Sequence, residues 1–378
     1  VHLNNAGAGL MPVPVLTAVE EHLRLEAAMG GYEAADARAA DVTRAYQAMA
    51  RLLGCQPGNI AFVENATLGV AQALSAFDFQ PGDAIITSRA DYVSNQLMLL
   101  SLAERRGIRV VRADDLPEGG VDPASVDQLT RDRRAKLVVL SWIPTNSGLI
   151  QDVEAIGAIC SRRGLPYLVD GCQAVGQIPV DVGRIGCDFL AGTARKFLRG
   201  PRGIGFLYVS HRVLAARRYP LYLDLRSATW TDPDRFEPAL DARRFENWEF
   251  GYAQLLGLGA AAEYAIAAEA AGGLTRAVEL GALARTALAE APGLRPLDRG
   301  STLGAIATFA VAGVEPSALV PALRERGINT SWFPRSAAVI DMDAKGISAG
   351  LRVSPHYYNT PQEIELLVEA IRDLGRPA

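Results

Sequence analysis

Cys187-Asp-Phe-Leu-Ala-Gly-Thr-Ala-Arg-Lys-Phe-Leu-Arg-Gly-Pro-Arg-Gly-Ile-Gly205 is the stretch on which the reading of this chain turns. Phe189-Leu190-Ala191 is a short apolar run that reads as a buried strand stopping at Gly192. Thr193, Arg195 and Lys196 follow, and Gly200-Pro201-Arg202-Gly203 turns the chain into a second apolar run, Ile204 to Val209. Lysine is rarely buried without a partner or a task. Upstream, Pro166-Tyr-Leu-Val-Asp170-Gly171 is a strand that closes on an acid and a glycine. Asp170 therefore lies at a strand's carboxyl end, where ligands of open α/β sheets sit.

An acid there and a lysine just past a neighbouring strand can hold the two ends of an aromatic aldehyde. Pyridoxal phosphate needs this pair: a lysine for the Schiff base and an acid opposite the pyridine nitrogen, which keeps the ring an electron sink. The pair alone leaves a second reading open, in which Asp170 caps a helix and Lys196 is a solvated loop residue.

With 378 residues, 49% of them hydrophobic and 21% charged, the chain has material for a large and a small domain. A net charge of −4 gives no reason to expect nucleic acid or an anionic membrane as partner. Cys55, Cys160, Cys172 and Cys187 are spread singly, which argues against a disulfide framework or a zinc site. With four histidines in all, no metal is expected. No apolar run approaches the ~20 residues that span a bilayer, and no signal peptide is visible; a cytoplasmic location is the expectation.

Strand and helix alternate around the opening stretch. His2 to Pro12 is small and glycine-rich, able to approach a ligand closely. A helix from about Pro14 to Met29 turns Val15, Val19, Leu23 and Leu25 inward; Gly30-Gly31 breaks it, and a second runs from about Ala37 to Leu53. Strands are expected at 60–63, 84–87, 108–112, 136–142 and 166–169, with helices between them. That alternation is the signature of an α/β fold: a large domain whose mostly parallel sheet is covered by helices on both faces. A polar connection over 219–244 leads to a long alanine-rich helix near 252–271, and the remainder reads as a smaller α+β C-terminal domain. The expected division is 13–255 for the large domain and 256–378 for the small one, with residues 1–12 joining the latter.

Glu64-Asn65-Ala66-Thr67-Leu68-Gly69 opens a helix after a strand, a seat for a phosphate on the free first-turn N–H groups; an ordinary Asn or Thr cap is the alternative. Tyr92, past another strand end, can stack on a planar group or be a surface tyrosine. Asn146, in Pro144-Thr-Asn-Ser-Gly148, and Gln173, three residues beyond Asp170, can each serve a ring oxygen, unless the first lies in a plain turn.

Asp170-Gly-Cys-Gln173, Thr193-Ala-Arg-Lys196 and Gly200-Pro-Arg-Gly-Ile-Gly205, in this order, resemble the class V aminotransferase group of fold-type I pyridoxal-phosphate enzymes. Within it the chain is nearest to isopenicillin N epimerase-like and hercynylcysteine sulfoxide lyase-like proteins, and Gly30 to Ala35 and Phe245 to Glu249 look like lyases that cleave sulfur-linked cysteine conjugates. The resemblance runs nearly end to end, through Leu3 to Gly7, Asn65 to Thr67, Tyr92 to Asn95, Pro144 to Asn146 and Gly350 to Thr360. It implies that Lys196 forms the Schiff base, that Asp170 pairs with the pyridine nitrogen, and that Gln173 bonds the phenolic oxygen with Asn146 close by. Ala66, Thr67, Thr193 and Arg195 would hold the phosphate and Tyr92 would stack on the ring. Arg352 would clamp the substrate α-carboxylate, beside Ala6 and Gly7. A small amino-acid substrate and a homodimer are further implications.

Two departures from the family pattern matter. Trp248 and Glu249 stand where relatives often carry Gly-Thr to reach the partner subunit's phosphate, and a carboxylate there repels a phosphate. Desulfurases of the family also need a cysteine in a small-domain loop shortly before the carboxylate-binding arginine. Between Gly327 and Leu351 this chain has Trp332, Phe333, Pro334 and Arg335 but no cysteine. The expected reaction is accordingly β-elimination from a cysteine-type conjugate, giving pyruvate and ammonia. Transamination is the alternative, and epimerisation a more distant one. A dinucleotide loop at Gly200 to Gly205 is rejected because a strand-like run, not a helix, follows it.

Overall fold

Seven strands form the central sheet of the computed structural model, which describes residues 1–374: β1 (Ile60–Val63), β2 (Ala84–Thr87), β3 (Arg109–Arg112), β4 (Ala135–Ser141), β5 (Tyr167–Asp170), β6 (Phe189–Thr193) and β7 (Gly205–Val209). Their order is β1-β7-β6-β5-β4-β2-β3. Every residue of β1, β2, β5, β6 and β7 is buried, which is why these strands read as unbroken apolar runs rather than alternating ones. The pairs from β3 through β6 are parallel. β7 runs against both β6 and β1, because the turn between the two apolar runs of the opening stretch folds them into a hairpin. Lys196 sits in that turn.

The parallel register lines up Ser141 with Asp170 and Asp170 with Ala191. The carboxyl ends of β4, β5 and β6 thus open side by side, and the side chains that follow them face one crevice. Helices Val13–Met29 and Ala39–Leu53 pack against the long helix Tyr252–Ala270. The expected domain boundary at 255/256 falls inside this last helix.

A second sheet of four antiparallel strands is built from β10 (Leu294–Pro296), β11 (Ala307–Val311), β12 (Ser331–Pro334) and β13 (Ala349–Val353), in the order β10-β11-β13-β12. Its core includes Leu288, Phe309, Leu323, Leu351 and Leu367, so helices Gly273–Ala289, Pro316–Glu325 and Pro361–Leu374 back it. The N-terminal segment joins its end: Leu3 N donates to Asn329 O at 2.8 Å, and Ser354 N to Leu3 O at 2.8 Å.

Two expectations are corrected. The connection over 219–244 contains a hairpin, β8 (Ala228–Asp232) with β9 (Arg235–Pro238). Its polar residues masked the alternation, and Pro233-Asp234 supplies the turn. In the first helix Leu23 is exposed and His22 is buried instead, its Nε2 3.0 Å from a Glu26 carboxylate oxygen one turn on; an inward polar residue breaks the apolar stripe on which the periodicity rests.

Candidate active site

Lys196 is 6% exposed, and no hydrogen bond or ion pair reaches its ammonium group among the described residues. Its Nζ stands 5.5 Å from the centroid of the Tyr92 ring. Burial lowers its pKa below the ordinary 10.5, partly opposed by Cys172 and Asp170 and reinforced by Arg195 and Arg352. The sequence holds three lysines, and the other two have ordinary surroundings. Lys136 is exposed on β4, and Lys345 bonds Asp341 at 2.7 Å.

A cavity of about 210 Å³ opens beside Lys196, lined by Glu64, Asn65, Ala66, Thr67, Tyr92, Cys172, Thr193, Arg195, Arg202 and Gly203. At its floor helix Ala66–Ser75 begins. Asn65 Oδ1 accepts from Leu68 N at 2.9 Å, so the cap satisfies the third N–H and leaves those of Ala66 and Thr67 for an anion. Gly205 permits this approach: a Cβ there would lie 3.0 Å from Ala66 N and 2.5 Å from Gly192 O. Thr193 enters from the end of β6, and Arg195 bonds Gly7 O from the cavity rim.

Asp170 ends β5 with both oxygens engaged. Cys172 N donates to Oδ1 at 3.0 Å and Asn95 Nδ2 to Oδ2 at 2.8 Å. Tyr92 is placed by its backbone, which donates to Ser141 Oγ at 2.9 Å. Asp91, next to it, takes N–H bonds from Ser88 and Ser141 and a hydroxyl bond from Thr87. Desolvation raises Asp91's pKa, those three donors opposing it.

Arg352 projects from β13 of the second sheet. Its Nη1 donates to Thr145 O at 3.0 Å and Oγ1 at 2.8 Å, its Nη2 to Asn4 Oδ1 at 3.3 Å. Its Nε is buried without a partner. Burial first, then the like charge of Arg195, lowers its pKa to about 10, so it stays charged at neutral pH. Gln173 Nε2 donates to Ala6 O and Thr145 Oγ1, each at 3.1 Å, while its Oε1 is buried and unpaired. Ala6 and Gly7 therefore lie between Gln173 and Arg195 on one side and Ser354, whose Oγ accepts from Ala6 N at 3.0 Å, on the other.

The structure thus brings Ala66, Thr67, Tyr92, Thr193, Arg195 and Lys196 to one cavity, and joins Gln173 and Arg352 at Thr145, with Ala6 bonded to Gln173 and Gly7 to Arg195. Asn146 Nδ2 bonds Asp341 Oδ2 at 2.7 Å, an acid brought to it by helix Val339–Lys345. Asn95 and Thr145 were not foreseen as site residues. Asn95 lies three residues past Tyr92 on the first turn of helix Val93–Arg106, a spacing that could have marked it. Trp248 and Glu249 are exposed; the inward acid of that segment is Glu246, held by Tyr46 at 2.7 Å and Arg226 at 2.6 Å.

The sequence pattern of the aminotransferase class-V family matches residues 1–367. This chain belongs to that family. It is similar to the probable cysteine desulfurase of Methanothermobacter thermautotrophicus, 28% identical over 99% of this chain and 94% of that one. It is equally similar to the probable hercynylcysteine sulfoxide lyase of Mycobacterium tuberculosis, 28% identical over 98% and 89%. Among solved structures, the cysteine desulfurase CsdA of Escherichia coli superposes with a TM-score of 0.89 at 26% identity, covering 98% of this chain and 94% of that one. The chain is therefore a pyridoxal-phosphate-dependent class V enzyme of the desulfurase and carbon–sulfur lyase type. Among the described residues no helix is long and apolar enough to cross a membrane.

The residues present fit the cofactor. An unpaired buried lysine, two free first-turn N–H groups beside Thr67, Thr193 and Arg195, an acid at the next strand end and a buried amide with an unpaired oxygen form the donor set of a phosphorylated aromatic aldehyde.

Proposed function

We propose that this class V enzyme eliminates the sulfur substituent from a cysteine-type conjugate. The conjugate and one water yield a sulfur-bearing leaving group, pyruvate and ammonium. The observation that carries its first step, removal of the Cα proton, is Lys196, buried and unpaired beneath Tyr92. A base for the Cα proton must be neutral to act, and desolvation favours the neutral amine. Pyridoxal phosphate, when bound, supplies the sink for the electron pair left at Cα.

The remaining residues position the reacting groups. Asp170, its orientation set by Asn95 and the Cys172 N–H, pairs with the ring nitrogen, and Tyr92 covers the ring face. Ala66, Thr67, Thr193 and Arg195 hold the phosphate. Gln173 serves the phenolic oxygen, with Asn146, whose Nδ2 bonds Asp341, close by. Arg352 takes the α-carboxylate, with Ala6 and Gly7 beside it.

Elimination is favoured over persulfide transfer by the segment 327–351, which carries no cysteine. Burial raises the thiol pKa of Cys172, the cysteine at the cavity, and a neutral thiol is a poor sulfur acceptor. The similar hercynylcysteine sulfoxide lyase supports a conjugate as substrate. Incubation with S-substituted cysteines should release pyruvate and ammonium in equal amounts. Conversion of the cofactor to its amine form, with a sulfur-bearing keto acid as product, would show a transaminase instead.

A homodimer is part of the proposal. Leu10, Val13, Leu16 and Leu23 at or before the N-terminal helix, and Leu225, Trp230 and Leu240 around the β8–β9 hairpin, are 43–92% exposed, and large exposed apolar side chains gathered on one segment are what a partner surface covers.

A further inference from the structure

Arg199, three residues past Lys196, is one of two non-glycine residues with a positive φ among those described, at 58°. Such a backbone costs free energy and persists where its surroundings over-determine it. The surroundings are unusual for a cation. The side chain is buried, and no carboxylate lies within ion-pair distance of it among the described residues. Three tyrosine rings enclose the guanidinium instead, with centroids at 4.5 Å (Tyr358), 5.3 Å (Tyr357) and 5.4 Å (Tyr264). Nε donates to Leu10 O at 2.7 Å and Nη1 to the Tyr357 hydroxyl at 2.9 Å. Aromatic faces and two oxygens thus replace an acid as the counter-charge.

The contacts lead to both halves of the site. Toward the lysine, Arg199 N donates to Lys196 O at 2.9 Å, and His356 Nε2 lies 2.8 Å from Phe197 O. Toward the carboxylate clamp, the Tyr358 hydroxyl donates to Asn5 Oδ1 at 2.6 Å and Asn5 Nδ2 to Ser354 O at 2.8 Å. Ser354 also receives Ala6 N and stands two residues from Arg352. Gly9 lets the N-terminal segment lie against the turn: a Cβ there would come within 2.6 Å of Lys196 O.

We propose that Arg199 is a positioning residue that fixes the Lys196 turn relative to Ala6, Gly7 and Arg352, so that amine and carboxylate of one amino acid are engaged together. An amino acid separates these two groups by a single carbon, so the lysine and the arginine must hold their spacing closely. Lys196 sits in a turn of the central sheet and Arg352 in a strand of the second sheet, and the Arg199 cluster ties the two. This inference rests on the roles of Lys196 and Arg352 given above.

The test is titration of the holoenzyme with glycine, an amino acid without a β-leaving group, followed by the cofactor's visible band. Arg199→Gly accepts the positive φ but removes the guanidinium. It should keep the borohydride-reducible cofactor while its glycine dissociation constant rises about tenfold, Arg199→Lys falling between. Because Arg199 acts on the same clamp, adding Arg199→Gly to Arg352→Lys should weaken glycine binding by less than the two single effects multiplied. A merely structural role predicts simple multiplication. Unchanged glycine affinity in folded Arg199→Gly, or strict multiplication in the double variant, overturns the proposal. If Arg199→Gly does not fold, Tyr358→Phe decides, since it keeps the ring and breaks the link to Asn5. A rise of about two- to threefold supports the proposal and no change refutes it. A wild-type protein without a reducible adduct at Lys196 would sink the function above and this inference with it; an intact adduct with unaltered variants sinks this inference alone.

Discussion

Lys196 is buried without an acid to pair with, and its energetics follow from that single fact. Its folded-state pKa lies below the ordinary 10.5, so between the two values the unfolded chain binds more protons than the folded one. Stability must therefore rise with pH across that window. In cofactor-free protein Lys196→Met should raise Tm at neutral pH, and its advantage should narrow as the pH approaches 10.5; thermal melts at several pH values read this directly. In the loaded enzyme Lys196→Ala should lower kcat by about 10²–10⁴-fold, the range for loss of a positioned general base, as measured by pyruvate release. Arg352 offers a contrasting residue. Lysine in its place keeps a charge but loses the paired donors, and KM should rise about 10–100-fold with a smaller change in kcat. Equal falls in kcat and kcat/KM would instead give Arg352 a role confined to the transition state.

Elements bring these residues together, and some of that was readable. A strand ending in Asp170 and a strand followed by Lys196 are local patterns, and both were legible because each strand is fully buried and stops at a glycine or a polar group. The first turn of helix Ala66–Ser75 was legible for the same reason. Contacts between distant segments were not. Arg352 meets Thr145, 207 residues away, and Asn146 meets Asp341, 195 residues away; no spacing within either stretch encodes such a pairing. The Arg199 cage has no local signature either, since Tyr264, Tyr357 and Tyr358 converge on it from distant segments. The helix start offers a clean test at this scale. Gly205→Ala places a methyl against Ala66 N and Gly192 O, and overpacking of that kind costs about 1–3 kcal/mol. Because the shift falls on the N–H groups assigned to the phosphate, cofactor affinity should drop along with Tm. An affinity that holds while Tm falls would place the phosphate elsewhere.

For the whole molecule, the exposed apolar surface at the N-terminal helix and the β8–β9 hairpin predicts association of two copies. Sedimentation should give a dimer at micromolar concentration, and Trp230→Glu with Leu240→Glu should shift it toward monomer; an unaltered dimer would place the interface on another face. The account as a whole depends on one covalent attachment, and the composition makes it unusually easy to check. With lysines only at 136, 196 and 345, borohydride reduction of the holoenzyme followed by peptide mass mapping has three distinguishable outcomes for the adduct. The account predicts the reduced pyridoxal phosphate mass on the peptide containing Lys196 and on no other. Label on Lys136 or Lys345, or a cofactor that dialyses away after reduction, would contradict it.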